Sequence, residues 1–153
     1  SRNVPHHDEF PEMMAGEITA RAISAMNDGV YDFILINYAN GDMVAHTGNF
    51  EAAITAIKAV DAQIGELIKK VIDKDGVLLI TADHGNVERM FDPRTGLTET
   101  KHDTNPVPIY IVGRGYESDK DDFEIARIEK ESIGVLSDVA PTVLGIILNY
   151  PSI

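Results

Sequence analysis

The stretch Val77-Leu-Leu-Ile-Thr-Ala-Asp-His-Gly-Asn86 decides the fold class, because a short apolar run passes directly into polar residues. An apolar run without alternation is typical of a strand that helices cover on both faces. Two similar runs, at 32–37 and 107–112, predict two further strands. Since helical patterns separate and follow these runs, the sequence predicts an α/β fold with a largely parallel sheet and flanking helices.

Three segments predict the helices. The clearest is 50–71, where apolar residues recur at helical spacing after Asn49, a suitable N-cap. An earlier helix is predicted over 12–27, and a final one over 139–148 with Asp138 as its cap. Residues between the third strand and this last helix are highly charged and are predicted to form a surface excursion.

Composition indicates one globular domain. The chain has 153 residues, of which 44% are hydrophobic and 25% charged, and this size allows a substantial buried core. Since no apolar run reaches the roughly 18 residues of a membrane span, we predict no membrane partner and a cytoplasmic location. The chain contains no cysteine, which excludes disulfides and thiolate ligands, so any metal must be held by imidazole and oxygen.

The net charge of −12, from 25 acidic and 13 basic residues, argues against a nucleic-acid partner, because such proteins need a basic surface. The same charge opposes binding of a phosphorylated substrate. Bound cations would remove this conflict, because they supply positive charge locally.

Aspartate and histidine residues cluster at the ends of the predicted strands, where ligands bind in open α/β sheets. Asp42 and His46 follow the first strand, and a spacing of four places both on one side of a helical turn. Asp83 and His84 follow the second strand directly. They can share a metal only if the backbone turns there, and Gly85 makes that turn easy.

With His102, which precedes the third strand, the candidate ligands number two carboxylates and three imidazoles. This set is too large for one tetrahedral site and suits two neighbouring ions such as Mn²⁺, Zn²⁺ or Co²⁺. Taken singly, such residues are more often turns, caps or satisfied polar groups. We expect His6 and His7 at the surface, and Asp103 to orient its loop or a neighbouring histidine.

Three motifs resemble those of the bacterial and plant type of 2,3-bisphosphoglycerate-independent (cofactor-independent) phosphoglycerate mutase. They are N-Y-A-N-G-D-M-V-A-H-T-G at 37–48, L-I-T-A-D-H-G-N at 79–86 and K-H-D-T-N-P-V-P at 101–108. The similarity extends to P-E-M at 11–13 and D-V-A-P-T at 138–142. The D-H-G triplet alone would indicate only the alkaline phosphatase superfamily, whereas the longer motifs are much more specific.

The resemblance implies an alkaline-phosphatase-like fold and an isomerase that interconverts 2-phosphoglycerate and 3-phosphoglycerate in glycolysis and gluconeogenesis. It also implies a phosphoserine intermediate at a site with two Mn²⁺ ions, for which Mg²⁺, Co²⁺ or Zn²⁺ are alternatives. By position, Asp42, His46 and His102 resemble the ligands of one metal, and Asp83 and His84 resemble ligands of the other.

Other parts of the family pattern have no match in this sequence: the first strand with its metal-binding aspartate, the nucleophilic serine and the inserted substrate domain. The resemblance therefore implies that 1–153 form a single incomplete domain, the C-terminal segment of the metal-binding phosphatase-type domain. Its expected partners are phosphoglycerate and the missing N-terminal part of the same polypeptide. We expect the chain alone to bind a divalent ion, to contain no catalytic residue and to be inactive as a mutase.

Two alternatives stay open. One is a phosphopentomutase or another metal-dependent enzyme of the phosphatase superfamily, and the other is a non-catalytic metal-binding module.

Overall fold

A long amphipathic helix organises the fold. The computed structural model describes residues 4–92 and 94–149, and its longest element is α3, Phe50–Asp73. The Asn49 side chain accepts a hydrogen bond from the Ala52 N–H, which satisfies one of the free donors of the first turn. The predicted helix and its cap are therefore both present.

Two shorter helices pack on α3. Helix α1, Ala15–Asp28, ends at Gly29, whose φ of +65° is the left-handed conformation that glycine tolerates best. Helix α2, Asn40–Ala45, lies between α1 and α3 in the chain. The core around α2 and α3 consists mainly of small side chains, which allow close packing of these helices: Val44, Ala45, Ala52, Ala53, Ala56 and Met90.

The sheet formed by the described residues has two strands, β1 (Val77–Thr81) and β2 (Ile109–Gly113). They pair antiparallel, with Val77 opposite Gly113 and Thr81 opposite Ile109. The α/β class is confirmed, but the prediction of a largely parallel sheet is wrong for this part of the chain. The physical reason is the connection: its described residues, 82–92 and 94–108, contain no helix, whereas a parallel pair needs a crossover, usually a helix.

The strand predicted over 32–37 is absent from the described structure, where these residues lie outside regular structure. Burial still alternates along the segment, because Ile34 and Ile36 are half-buried beside α1 whereas Phe33 and Leu35 are exposed. This alternation is the geometry of a strand. A strand also requires a hydrogen-bonded neighbour, and the described part of the chain places none beside this segment.

Residues 114–149, which follow β2, are all exposed or half-buried. The charged excursion contains helix α4, Asp122–Ile128, which the sequence pattern missed because a capping box of Asp121 and Glu124 defines it, not an apolar stripe. Helix α5, Val139–Asn149, confirms the predicted final helix. The carboxylate of Asp138, the predicted cap of this helix, accepts from the N–H of Val135, which precedes it in the chain. None of the helices in the described ranges is long and apolar enough to cross a membrane.

Candidate metal centre

Three separate segments bring four of the predicted ligands together. Helix α2 and the residue after it supply Asp42 and His46, the turn after β1 supplies His84, and the loop before β2 supplies His102. Asp42 Oδ1 lies 3.2 Å from His46 Nε2, 3.1 Å from His102 Nε2 and 3.9 Å from His84 Nε2. One carboxylate oxygen thus faces the same nitrogen of three imidazoles.

The imidazole rings pack against each other around that oxygen. The rings of His84 and His102 stack with their centroids 3.7 Å apart, and those of His46 and His102 are 5.3 Å apart. Asp42, His84 and His102 each offer a ligand atom within 4.8 Å of the others. Ligand atoms about 2.0–2.2 Å from one ion lie roughly 3–3.5 Å from each other, so the shortest distances here match a shared cation.

Asp83 lies at the rim of this cluster. Its side chain is 87% exposed, and its Oδ1 is 3.7 Å from His84 Nε2. The side chains of Asp83 and His84 therefore lie on the same side of the chain, which is possible because the backbone turns after β1. Its position leaves the carboxylate accessible from solvent. The division of the five residues between two ions stays a prediction.

The carboxyl of Asp42 is held in its ionised form. Partial burial raises its pKa, whereas the hydrogen bond from Asn86 and the charges of the three neighbouring imidazoles lower it. Together the lowering effects are stronger, so the pKa of Asp42 lies below its ordinary value. A charged carboxylate is the form that binds a divalent ion.

The orientation of His46 is fixed from outside the cluster. Its Nδ1 lies 2.7 Å from the Thr100 carbonyl oxygen, and a carbonyl can only accept, so Nδ1 carries the proton. Its Nε2 is thereby directed to Asp42 Oδ1, 3.2 Å away. Metal-binding histidines characteristically have such a hydrogen bond on the other ring nitrogen.

A close contact between loops places His84 beside His102. The Asp103 N–H donates to the Gly85 carbonyl over 2.7 Å, and these two residues form an isolated bridge. A Cβ at Gly85 would overlap Glu88 Oε1 and lie 3.2 Å from the Asp103 carbonyl oxygen. A side chain at this position would therefore disturb the contact that joins the two histidine loops.

A polar network around that contact holds the loops in place. Glu88 accepts from the Asn86 N–H over 2.8 Å and from Asn105 Nδ2 over 3.1 Å. Asp103 accepts from Arg89 over 3.0 Å and from the Asn105 N–H over 2.9 Å. Asp103 thus orients its loop, which is one of its two predicted roles.

Sequence reasoning missed Asn86, which donates from Nδ2 to Asp42 Oδ1 over 2.7 Å. The available signal was its place directly after the D-H-G triplet.

Of the two histidines expected at the surface, His6 is exposed. His7 is only half-buried, but its Nδ1 is buried and has no hydrogen-bond partner within the described ranges.

A fold of this class with a cluster of carboxylate and imidazole ligands is typical of metal-dependent enzymes, and comparison with known proteins agrees. The chain belongs to the metalloenzyme superfamily, whose family model matches residues 1–149.

The curated proteins that this chain resembles in sequence are phosphoglycerate mutases, which confirms the family resemblance seen in the three motifs. The 2,3-bisphosphoglycerate-independent phosphoglycerate mutase of Clostridioides difficile is 47% identical over 144 residues, which cover 94% of this chain and 26% of that protein. The enzyme of the same name from Chloroflexus aurantiacus is 44% identical over 153 residues, covering 99% and 27%. This chain therefore spans about a quarter of the length of these relatives.

A solved structure also matches, that of Leishmania mexicana phosphoglycerate mutase at low cobalt concentration. The TM-score is 0.70 and the sequence identity 39%, over 76% of this chain and 23% of that one. The similarity thus extends to three dimensions.

Proposed function

We propose that this chain supplies metal ligands to an enzyme that interconverts 2-phosphoglycerate and 3-phosphoglycerate, a 2,3-bisphosphoglycerate-independent phosphoglycerate mutase acting in glycolysis and gluconeogenesis. The names of the relatives support this choice over a phosphopentomutase or another phosphatase-superfamily enzyme. A cytoplasmic location goes with the proposed reaction.

One observation carries the proposal of a metal site. Asp42 Oδ1 lies 3.2 Å from His46 Nε2 and 3.1 Å from His102 Nε2, and the Thr100 carbonyl oxygen is hydrogen-bonded to the other ring nitrogen of His46. An ionised carboxylate and converging imidazole nitrogens are the ligand types that a divalent ion of borderline hardness takes. A divalent ion would satisfy converging atoms of this kind at once, and the described residues whose ligand atoms all lie within 4.8 Å of one another are Asp42, His84 and His102.

From the family resemblance we assign Asp42, His46 and His102 to one ion, and Asp83 and His84 to the other. This division differs from the described triad, in which His84 and not His46 accompanies Asp42 and His102. Mn²⁺ is the proposed metal, and Co²⁺ is compatible because the Leishmania mexicana enzyme was studied with cobalt. When bound, such ions neutralise phosphoryl oxygens and activate a nucleophile. The residues of this chain orient the ligand atoms and keep Asp42 ionised. In this proposal, the phosphoryl-accepting serine lies in the part of the relatives that this chain does not span.

The proposed ions also remove the conflict between the net charge of −12 and a phosphorylated substrate. A phosphate approaching this protein meets mostly acidic residues. Local positive charge at the metal centre would reverse that repulsion where the substrate binds.

A chimera tests the catalytic part of the proposal. Residues 1–149 replace the matching quarter of the Clostridioides difficile mutase, and phosphoglycerate interconversion is measured with added Mn²⁺. We expect the chimera to turn over and the isolated chain to show none above background.

The matched control is the same chimera with Asp42→Asn, which we expect to be at least about 100-fold slower, since removing a metal ligand removes the ion that stabilises the transition state. A folded chimera that binds Mn²⁺ without turnover would favour the alternative of a non-catalytic metal-binding module. Turnover by the isolated chain would contradict the placement of the serine.

We further propose that 1–153 are one segment of a larger phosphatase-type domain, and that other parts of the polypeptide cover its exposed apolar surface. Leu35 is 83% and Leu148 82% exposed, and every residue of α5 is exposed or half-buried. A large exposed apolar surface normally marks an interface with another part of the protein or with another molecule. The unpaired segment 32–37 offers free backbone groups to a further strand.

The isolated chain is therefore expected to self-associate, and Leu35→Lys to reduce this. The lysine places a charge on the exposed side of the unpaired segment, where it opposes edge-to-edge pairing. Sedimentation velocity measures the outcome as a lower average mass for the variant. A control substitution at another exposed leucine, Leu97→Lys, should leave the mass unchanged. Equal masses for Leu35→Lys and the unmodified chain would contradict pairing through this segment.

A further inference from the structure

Asn86 is a buried polar residue beside the ligand cluster. Its side chain is only 3% exposed, and its Nδ2 donates to Asp42 Oδ1 over 2.7 Å. Its own Oδ1 is buried and has no hydrogen-bond partner among the residues that the structure describes. A buried acceptor without a partner lowers stability. Stability alone therefore does not explain an asparagine here.

The oxygen that Asn86 contacts is the one that faces the three imidazoles. Asp42 Oδ1 lies 3.1 Å from His102 Nε2 and 3.2 Å from His46 Nε2. A donor on this oxygen occupies one lone-pair direction and restrains rotation of the carboxylate about its last side-chain torsion. The remaining direction points the oxygen to the ring nitrogens.

Asn86 is itself held in place. Glu88 accepts from the Asn86 N–H over 2.8 Å and from Asn105 Nδ2 over 3.1 Å. The backbone of Asn86 is thereby tied to the loop that carries His102. A hydrogen-bonded chain thus runs from that loop through Glu88 and Asn86 to Asp42.

We propose that Asn86 is a positioning residue that makes Asp42 a ligand through one oxygen, Oδ1. The inference rests on the proposed metal site. Without the amide, the carboxylate is free to rotate and to bind an ion through both oxygens or through Oδ2. Loss of such an outer hydrogen bond typically weakens metal binding by about 10–100-fold.

The test uses Asn86→Leu, which has the same branching but no donor and no unpaired acceptor. We expect the variant to bind Co²⁺ about 10–100-fold more weakly than the unmodified chain. The visible absorption bands of bound Co²⁺ should also change in position or intensity, because the ligand geometry around the ion differs. The metal-free variant should melt at or near the temperature of the unmodified chain. Asn86→Ala is the second variant and should show the same loss and spectral change.

Thr19→Val is the control, since Thr19 is also 3% exposed and its hydroxyl bonds the Ala15 carbonyl and the Tyr38 hydroxyl, neither of which belongs to a candidate ligand. It should lower the melting temperature and leave Co²⁺ affinity and spectrum unchanged. Absence of Co²⁺ binding by the unmodified chain would refute the metal site itself. Unchanged affinity and spectrum in the Asn86 variants would refute only the positioning role, as would failure of both variants to fold without metal.

Discussion

Asp42→Asn is expected to lower the affinity of the chain for Mn²⁺ by at least about 100-fold, or about 2.8 kcal/mol. The substitution preserves the size of the side chain and removes its charge. Asp42 is the one carboxylate whose oxygen faces three imidazoles of the described cluster. Without it, the ion assigned to Asp42, His46 and His102 would have imidazole and amide ligands only, and the attraction between carboxylate and ion would be lost. Isothermal titration calorimetry measures the change.

Asp83→Asn is the matched control, because it makes the same change at a carboxylate that is 87% exposed and contacts only His84 among the candidate ligands. We expect it to lower mainly the affinity of the weaker of two binding events. The affinity of the tighter event should fall by less than about 10-fold. Equal losses in the two variants would contradict the assignment of Asp42 to the tighter ion.

Gly85→Ala is expected to destabilise the chain by about 1–3 kcal/mol, the usual cost of adding an atom to a packed position. The new Cβ would overlap Glu88 Oε1 and crowd the Asp103 carbonyl oxygen at 3.2 Å. Glu88 can swing away but then releases Asn86, whereas the Asp103 backbone can yield only if its loop moves. We therefore also expect weaker Mn²⁺ binding, because His102 moves with that loop. Urea denaturation and Mn²⁺ titration measure the two effects.

Gly65→Ala is the control for this prediction. Gly65 lies inside α3, and a Cβ there would meet no atom within 4 Å. Alanine in a helix interior is more stable than glycine by about 0.5–1 kcal/mol, so the opposite sign is expected. A Gly85→Ala variant as stable as the unmodified chain, with the same Mn²⁺ affinity, would show that the loop contact does not position the histidines.

Helices α1, α3 and α5 could be predicted because their signals are local, whereas α4 was missed because the prediction relied on apolar stripes and not on its capping box. Asn49 caps α3 within three residues, and Gly29 ends α1 through its own backbone conformation. The spacing of four between Asp42 and His46 likewise fixed their proximity. Each of these depends on neighbours along the chain.

The sheet and the convergence of loops could not be predicted, because they depend on contacts distant in sequence. The antiparallel pairing of β1 and β2 joins residues about 30 positions apart, such as Thr81 and Ile109. The hydrogen bond between Asn86 and Asp42 joins residues 44 positions apart. For the segment 32–37, the apolar pattern of a strand is present, but pattern alone does not say whether a partner lies beside it.

The most direct test of the metal site is a calorimetric titration of the unmodified chain with Mn²⁺. We predict saturable binding in which the tightest event involves one ion. Asp42→Asn should abolish that event under the same conditions. No saturable binding by the unmodified chain, or identical binding by the Asp42→Asn variant, would contradict the proposal that Asp42 and the surrounding histidines form a metal centre.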